Sequence, residues 1–148
     1  MKKIILILPG LLLFIACEIG PKPINFGNDS CAYCSMTIVD RQHAAEIVTK
    51  KAKVRKFDAV ECMLNYDREH SEIPVGLYLV SDFDAPGELI DATKATYLKS
   101  DEISSPMGAN LSAFSNSEAA EKKRQEFGGE ILEWEEVKQL ENTTGIAQ

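Results

Sequence analysis

The sequence predicts an α+β fold made of two similar strand–strand–helix–strand modules, in which each helix packs on one face of an antiparallel sheet. Two segments carry the same helix-start pattern: an Asp or a Ser stands three residues before a Glu, as in a capping box. These segments are 57–61 and 114–118, and each begins with a Phe in the position of a hydrophobic staple. A strand-like run follows each helix, and the Pro-Gly turn signal within 84–87 separates the two halves.

The first module is expected to span residues 29–84. Its elements, in order, are strands at 36–39 and 45–48, a Lys-rich segment that ends at Lys56, a helix from about Ala59 to Asp67, and a strand at 76–80. The last strand is the clearest of these, because β-branched and aromatic residues are dense there and a turn at Ile73-Pro74 precedes it.

The second module is expected to span residues 85–140. Its elements are strands at 95–98 and 111–114, a helix over 116–127 that Gly128 closes, and a strand at 130–134. The acidic run 133–136 is interpreted as the solvated face of that last strand. Residues 141–148 are expected to form a disordered tail.

The N-terminus resembles a bacterial lipoprotein signal. Lys2 and Lys3 precede a short apolar run that is too short for a transmembrane helix and fits the h-region of a secretory signal. Residues 1–16 are therefore expected to be a signal peptide, with Cys17 lipidated as the first mature residue and 17–28 as a flexible tether. This places the protein in the cell envelope, anchored to a membrane and facing the periplasm or the exterior. An ordinary cleaved signal with an incidental cysteine would also export the protein.

Size and charge limit the remaining functions. Without residues 1–16 the 148-residue chain keeps 132 residues, enough for one compact domain, and the loss of Lys2 and Lys3 changes its formal net charge from −7 to −9. An acidic chain without a basic stripe argues against nucleic-acid binding. We find neither a phosphate-cradling Gly-rich loop nor a nucleophile elbow, and the two histidines and scattered acids do not assemble a hydrolase triad. The sequence therefore predicts a protein that is not an enzyme.

Sulfur ligands are concentrated in one short segment. With Cys17 set aside, the cysteines that remain are Cys31, Cys34 and Cys62. Because three is an odd number, a purely structural disulfide scheme would leave one thiol unpaired. The segment Cys31-Ala32-Tyr33-Cys34-Ser35-Met36 holds two thiols and one thioether. Soft sulfur donors favour copper(I) over hard cations, and methionine is a poor zinc ligand. The segment is therefore a candidate copper(I) site.

Two alternatives stay open at this point. Cys31 and Cys34 could form a structural disulfide, as exported Cys pairs commonly do. They could also be a redox-active pair of a thiol–disulfide oxidoreductase, although here the pair precedes a strand-like segment instead of a helix. Only the copper hypothesis requires the methionines.

Further candidate ligands lie outside this segment. Met107 stands between Pro106 and Gly108 in a loop without helix or strand periodicity, which favours a ligand or contact role over a core role. His43 lies at a predicted turn close to the Cys/Met segment, and neutral imidazole can bind copper. Cys62 falls at the staple position opposite Phe57, which favours a buried, inert thiol.

These motifs together resemble the NosL family, lipoproteins associated with the maturation of nitrous-oxide reductase. The resemblance spans roughly residues 29–137. The matching features, in order, are the lipobox-like Cys17, the segment 29–36, Phe57-Asp58 with Cys62-Met63, Pro106-Met107-Gly108, Phe114, and Gly128-Gly129.

The resemblance implies a copper chaperone of two strand–strand–helix–strand modules that binds one copper(I) ion. Cys34 and Met107 match the principal ligands of the family, and Met36 and Cys31 match its motif. A histidine has been associated with the family's site, which points to His43 or His70 without choosing between them. The implied partners are a membrane ABC-type maturation complex and nitrous-oxide reductase.

The chain departs from the family pattern at one position. Ser35 stands where the family commonly has glycine between the second cysteine and the methionine. Because serine carries a Cβ, a positive backbone φ at this position would be less favourable than for glycine.

Overall fold

A computed structural model describes residues 19–143. The predicted signal peptide 1–16, the lipidation site Cys17 and the end of the predicted tail, 144–148, lie outside the described residues. The elements in chain order are β1 (Ala45–Thr49), β2 (Val54–Phe57), α1 (Val60–Glu69), β3 (Val75–Asp82), β4 (Ala85–Asp91), β5 (Thr96–Lys99), β6 (Leu111–Phe114), α2 (Ser117–Phe127), β7 (Glu130–Leu132) and α3 (Trp134–Thr143).

The described strands form one seven-stranded sheet, to which both halves of the chain contribute. The first contributes strands in the order β2-β1-β3 and the second repeats this order as β6-β5-β7. Pairing is antiparallel within each module, and one parallel pair, Asp82 opposite Ala113, joins β3 to β6. Helix α1 packs on β1 and β2, while α2 packs on β5, β6 and β7. The α+β fold class is thereby confirmed.

The segment 36–39 is not a strand. Residues 29–38 fold back on themselves, because the Cys31 N–H donates to the Met36 carbonyl (2.7 Å) and the Ile38 N–H donates to the Asp29 carbonyl (2.9 Å). A single bridge, Ser30 opposite Thr37, is all the β pairing that this segment makes among the described residues. The apolar residues here were therefore a misleading signal: Ile38 is buried in the main core cluster, while Val39 is exposed.

The predicted turn at 84–87 is replaced in part by a strand. β4 begins at Ala85, pairs antiparallel with β3, and contains Pro86 and Gly87. Proline is tolerated in such a strand where its missing N–H does not face a partner. Gly87 has a φ of +91° and donates its N–H to the Arg41 carbonyl, which explains the glycine at this position.

The prediction of a strand up to residue 134 with a solvated acidic face was wrong. The strand β7 ends at Leu132 and Trp134 begins α3. The Glu133 N–H donates to the Glu136 carboxylate (2.8 Å), and Trp134 and Val137 are buried. Apolar residues three positions apart form a helix face here, so the acidic residues between them belong to a helix that extends to Thr143, into the predicted tail.

Residues 19–28, part of the predicted flexible tether, lie against the domain. The Lys22 N–H donates to Glu46 on β1 (2.9 Å), and Ile24 and Phe26 pack against the main core cluster. The Arg41 guanidinium lies 4.5 Å from the centroid of the Phe26 ring. Among the described residues, no helix is long and apolar enough to cross a bilayer.

Candidate metal site

The start of α1 differs from the predicted capping box, and this difference builds the site. Ala59 occupies the N-cap position with extended backbone angles, and its side chain makes no capping hydrogen bond. The side chains of Asp58 and Glu61, expected to cap the helix, are buried and contact other segments instead. At α2 the cap is also one residue later than predicted, since Asn116 accepts the Ala119 N–H (2.9 Å).

The Cys31–Met36 segment is a closed loop fixed to β2. The Ser35 N–H donates to the Cys31 carbonyl (3.0 Å), and the Ala32 N–H donates to the Lys56 carbonyl of β2 (2.8 Å). Ser35 has a φ of +65°, the left-handed conformation that glycine adopts more readily. The departure from the family's glycine therefore falls at a position where the backbone favours glycine.

Three thiols and one carboxylate converge where this loop meets the N-terminus of α1. Ligand atoms of Cys31, Cys34, Asp58 and Cys62 all lie within 4.8 Å of one another. Cys31, Asp58 and Cys62 are buried, and Cys34 is half-buried. The Cys34 thiol donates a hydrogen bond to Asp58 Oδ2 (3.4 Å). We call these four residues the thiol cluster.

The hydrogen bonds of the thiol cluster give its cysteines different proton affinities. The pKa of Cys31 is lowered to about 6, mainly because the Cys62 thiol donates to it, with backbone N–H groups of Cys34 and Asp58 adding to the effect. Burial raises the pKa of Cys34 to about 11. The pKa of Cys62 is raised far above its usual range by its hydrogen bond to Cys31 and by burial. Cys31 is therefore the thiolate of the cluster at neutral pH.

One carboxylate oxygen in the thiol cluster lacks a partner. Asp58 Oδ1 is buried and has no hydrogen-bond partner among the described residues. An unpaired buried carboxylate oxygen is costly, and a bound cation would compensate it. With a preformed thiolate alongside, the donor set fits a soft, thiophilic cation.

The two candidate methionines are exposed. Met36 is 53% exposed and Met107 is 39% exposed, so neither belongs to the core. The loop that carries Met107 is attached to the first turn of α1, since Glu61 Oε1 accepts hydrogen bonds from the Ser105 hydroxyl (2.6 Å) and the Ala109 N–H (3.2 Å). Glu61 directly precedes Cys62, so the fold connects the second module to the helix that bears the thiol.

Both histidines have partners elsewhere. His43 is buried, with Nδ1 2.9 Å from Asp40 Oδ2 and Nε2 3.2 Å from Ser112 Oγ. His70 stacks on Tyr66, and its Nδ1 lies 2.9 Å from the Tyr66 carbonyl oxygen. A metal ion bound by His43 would have to displace one of these contacts. At His70 it would have to displace the Nδ1 contact or bind through Nε2. Neither histidine is part of the thiol cluster.

Sequence reasoning identified Cys31 and Cys34 and missed the other half of the thiol cluster. Cys62 is buried, as expected, but its thiol faces Cys31 instead of serving only as core. Asp58 was interpreted as a helix cap. Two signals could have identified these residues. One is the odd cysteine count, and the other is the four-residue spacing between Asp58 and Cys62, which brings both to one side of a helix N-terminus.

Three comparisons relate this chain to known proteins. The NosL family profile matches residues 23–141. The copper-binding lipoprotein NosL of Stutzerimonas stutzeri is 31% identical over 127 residues, covering 80% of this chain and 67% of that protein. The crystal structure of the copper chaperone NosL from Shewanella denitrificans has a TM-score of 0.71 and 22% identity, covering 83% of this chain and 98% of that chain. Both names describe a non-enzymatic role. The chain therefore belongs to the NosL family.

Proposed function

We propose that this protein is a copper chaperone that binds one copper(I) ion at the thiol cluster and delivers it for assembly of the copper centre of nitrous-oxide reductase. The observation that carries the proposal is the convergence of three thiols and a buried carboxylate within 4.8 Å. The two NosL relatives named for copper binding and for copper chaperone activity support it.

The choice of copper(I) rests on the sulfur donors. The thiols and the carboxylate of the thiol cluster would also suit zinc, whose sites use Cys, His and carboxylate, so the thioethers, which zinc seldom takes and soft copper(I) accepts, decide the choice. Met36 and Met107, both exposed, supply thioethers that would complete the coordination from the solvent side. Under this proposal Cys34 and Met107 are the principal ligands, and Cys31 and Met36 contribute. Cys62 is a further ligand that the thiol cluster adds, and His43 is the weakest candidate because both its ring nitrogens already have partners.

Delivery requires a ligand that a recipient can displace. Cys31 and Cys62 are buried and would retain the ion, while half-buried Cys34 and the exposed methionines would offer ligands that a recipient can reach from the solvent. A thiolate or imidazole of the recipient can approach there and replace one ligand at a time. Copper delivery needs neither a substrate pocket nor an acid–base pair.

The cellular setting of the proposal is the cell envelope. Lipidation of Cys17 would anchor the domain to a membrane that faces the periplasm or the exterior, in agreement with the lipoprotein name of the Stutzerimonas relative. An ABC-type maturation complex and nitrous-oxide reductase are the proposed partners, as the family resemblance implies.

A copper(I) competition titration on the reduced mature domain tests the proposal. Wild type is expected to bind one equivalent tightly, and Cys34→Ser, Met107→Ala and Asp58→Asn are each expected to weaken binding, by about 10- to 100-fold for a supporting carboxylate. Val39→Ala and Asp84→Asn are matched controls, because they change an exposed apolar residue and an exposed carboxylate outside the thiol cluster.

The alternatives make different predictions in the same experiment. If wild type fails to compete for copper(I), the chaperone proposal is wrong, and the Cys31–Cys34 pair should then be tested for a structural disulfide. If Cys31→Ser and Cys34→Ser abolish an insulin-reduction activity that Met36→Ala and Met107→Ala leave intact, the chain is a thiol–disulfide oxidoreductase.

A further inference from the structure

The turn between β1 and β2 is basic in an otherwise acidic protein. Five of the chain's 16 Lys and Arg residues fall within 50–56, although the formal net charge is −7. Lys50, Lys51 and Lys53 are exposed, and none of their amines lies in an ion pair within the described range 19–143. We call these three residues the lysine turn. Lys56 differs, because it is paired with Asp29 (2.7 Å).

The lysine turn is an ordered structure. The Thr49 N–H donates to the Lys53 carbonyl (2.9 Å), the Lys53 N–H donates to Thr49 Oγ1 (3.1 Å), and the Lys50 N–H donates to the Pro74 carbonyl (2.9 Å). Ala52 holds a φ of +56° at its tip. The three ammonium groups are therefore presented together from a fixed backbone.

The charge around the lysine turn stays positive. Arg55 and Glu72 line the same depression as Lys51 and Lys53. Glu72 offsets one of these charges, and the remaining lysines and Arg55 leave an excess of cations. An exposed, unpaired cluster of this kind attracts polyanionic surfaces.

The lysine turn lies beside the point where the chain enters the domain. Ile19, two residues after Cys17, lies against Gly76 at the turn end of the sheet. A Cβ added to Gly76 would lie 3.2 Å from Ile19 Cγ2 and 3.2 Å from the Val48 carbonyl oxygen. Val48 and Thr49 lead directly into the lysine turn. Two residues span at most about 7 Å, so a lipid on Cys17 would hold the lysine turn close to the bilayer surface.

We infer that the lysine turn binds the anionic headgroups of the membrane to which the domain is tethered. This inference rests on the proposed lipid anchor at Cys17. The reach from Cys17 to Ile19 is comparable to the Debye length of about 8 Å at physiological ionic strength, so the lysines act on headgroup phosphates at a distance where screening is incomplete. Each basic residue near an anionic surface strengthens binding by about fivefold.

Headgroup binding at the lysine turn fixes the orientation of the thiol cluster. The lysine turn precedes Val54, whereas Asp58 follows Phe57 at the other end of β2. The strand separates the two ends by about 10 Å. With the lysine turn at the headgroups, the thiol cluster faces away from the bilayer, toward soluble recipients.

Amine acylation of the lipidated full chain in vesicles tests the inference. A water-soluble acylating reagent is applied to the protein in vesicles that contain phosphatidylglycerol and in vesicles of phosphatidylcholine alone, and mass spectrometry measures each lysine. We expect Lys50, Lys51 and Lys53 to react at least fivefold more slowly with phosphatidylglycerol present, with high salt removing the difference. Lys122, exposed on α2, is the internal control and is expected to react equally in both.

A second readout uses the single tryptophan, Trp134, as donor to a headgroup acceptor dye. Wild type is expected to transfer energy with different efficiency in the two vesicle types. The triple variant Lys50→Ser, Lys51→Ser, Lys53→Ser is expected to lose that difference, and the matched variant Lys122→Ser, Lys123→Ser, Arg124→Ser is expected to keep it.

Equal acylation of the lysine turn in both vesicle types would overturn the inference. An acidic protein would then be the candidate binding partner of this surface. A mass that shows an unmodified Cys17 would overturn it as well. Copper(I) competition by the same preparation tests the proposed function separately, so failure of one is distinguishable from failure of the other.

Discussion

At the scale of single residues, the thiol cluster depends on which group holds a proton. Cys31 is stabilised as a thiolate by donated hydrogen bonds, while Cys34 and Cys62 keep their protons. A metal ion entering the cluster must displace the protons of the cysteines that it binds. The resting cluster therefore combines one ready thiolate with two thiols that deprotonate on metal binding.

Copper(I) affinity is expected to rise with pH above about pH 6. Cys31, with a pKa of about 6, is then largely deprotonated, whereas the pKa values of Cys34 and Cys62 are raised, so their protons oppose binding and are removed more readily at higher pH. Each thiol that loses its proton on binding raises the apparent copper(I) affinity about tenfold per pH unit. For two such thiols, competition titrations across neutral pH would therefore measure a rise of about 100-fold per unit. Cys62→Ser should reduce the slope to about tenfold, and a flat profile would exclude both thiols as ligands.

Ser35 carries a backbone conformation that favours glycine. Because Ser35 has a φ of +65°, Ser35→Gly is expected to leave the stability of the domain unchanged or to raise it by up to about 1 kcal/mol, since the left-handed strain it removes at least offsets the added chain entropy. Ser30→Gly on the same loop, where φ is not positive, should destabilise by about 0.5–1 kcal/mol. Urea denaturation of the apo domain compares the two, and equal losses would show that Ser35 is unstrained.

At the scale of elements, α1 connects both modules to the thiol cluster. Its first turn places Cys62 against the Cys31–Met36 loop, and Glu61 accepts two hydrogen bonds from the Met107 loop. The predicted capping residues are thereby used for tertiary contacts. The helix tolerates the missing cap because Val60, Met63 and Leu64 are buried against the core.

Glu61→Ala is expected to weaken copper(I) binding through the Met107 loop. Removal of the carboxylate frees the Ser105 hydroxyl and the Ala109 N–H, so the loop loses its attachment to α1. We expect about a tenfold loss of affinity, comparable to the loss of an outer support of a metal ligand. Glu61→Gln keeps an accepting oxygen and is the matched control.

A double-mutant cycle separates this role from general destabilisation. If Glu61 acts through Met107, then Met107→Leu should cost little further affinity in the Glu61→Ala background. Fully additive losses in the titration would show that Glu61 does not position Met107.

At the scale of the whole molecule, two repeats form one sheet and the N-terminal segment lies against it. The parallel contact between β3 and β6 joins the modules, and α3 covers the core through Trp134, which packs near Tyr78 and Tyr97. Lys22, Ile24 and Phe26 fasten the start of the domain to β1 and the core. The entry point of the chain and the lysine turn are thereby held at the same end of the sheet.

Phe26→Ala is expected to destabilise the domain by about 1–3 kcal/mol. The side chain is half-buried against the core and lies under the Arg41 guanidinium, so its removal exposes apolar surface and ends a cation–π contact. Urea denaturation would measure the change, with Pro21→Ala at an exposed position as the control. An unchanged midpoint would indicate that residues 19–28 are a free tether after all.

Many of the structural elements of this protein were predictable from local sequence patterns. Both helices begin one residue after their predicted starts, and the strand after each helix begins within one residue of its prediction. These elements and the sulfur-rich loop were recognisable because hydrophobic spacing, β-branched runs and ligand spacing act over a few neighbouring residues. The same locality explains the errors: Trp134 and the acidic residues up to Glu136 were assigned to a strand because the helical spacing there is short and interrupted by acids.

Only the tertiary structure decided how these parts meet. Cys62 and Asp58 join Cys31 and Cys34 because α1 packs its first turn against a loop that lies far from it in sequence. The burial of Asp58, the attachment of the Met107 loop to Glu61 and the position of the lysine turn beside Ile19 have the same origin. The sequence determined which chemical groups the protein carries, and long-range packing, which no local pattern encodes, determined which of them lie together.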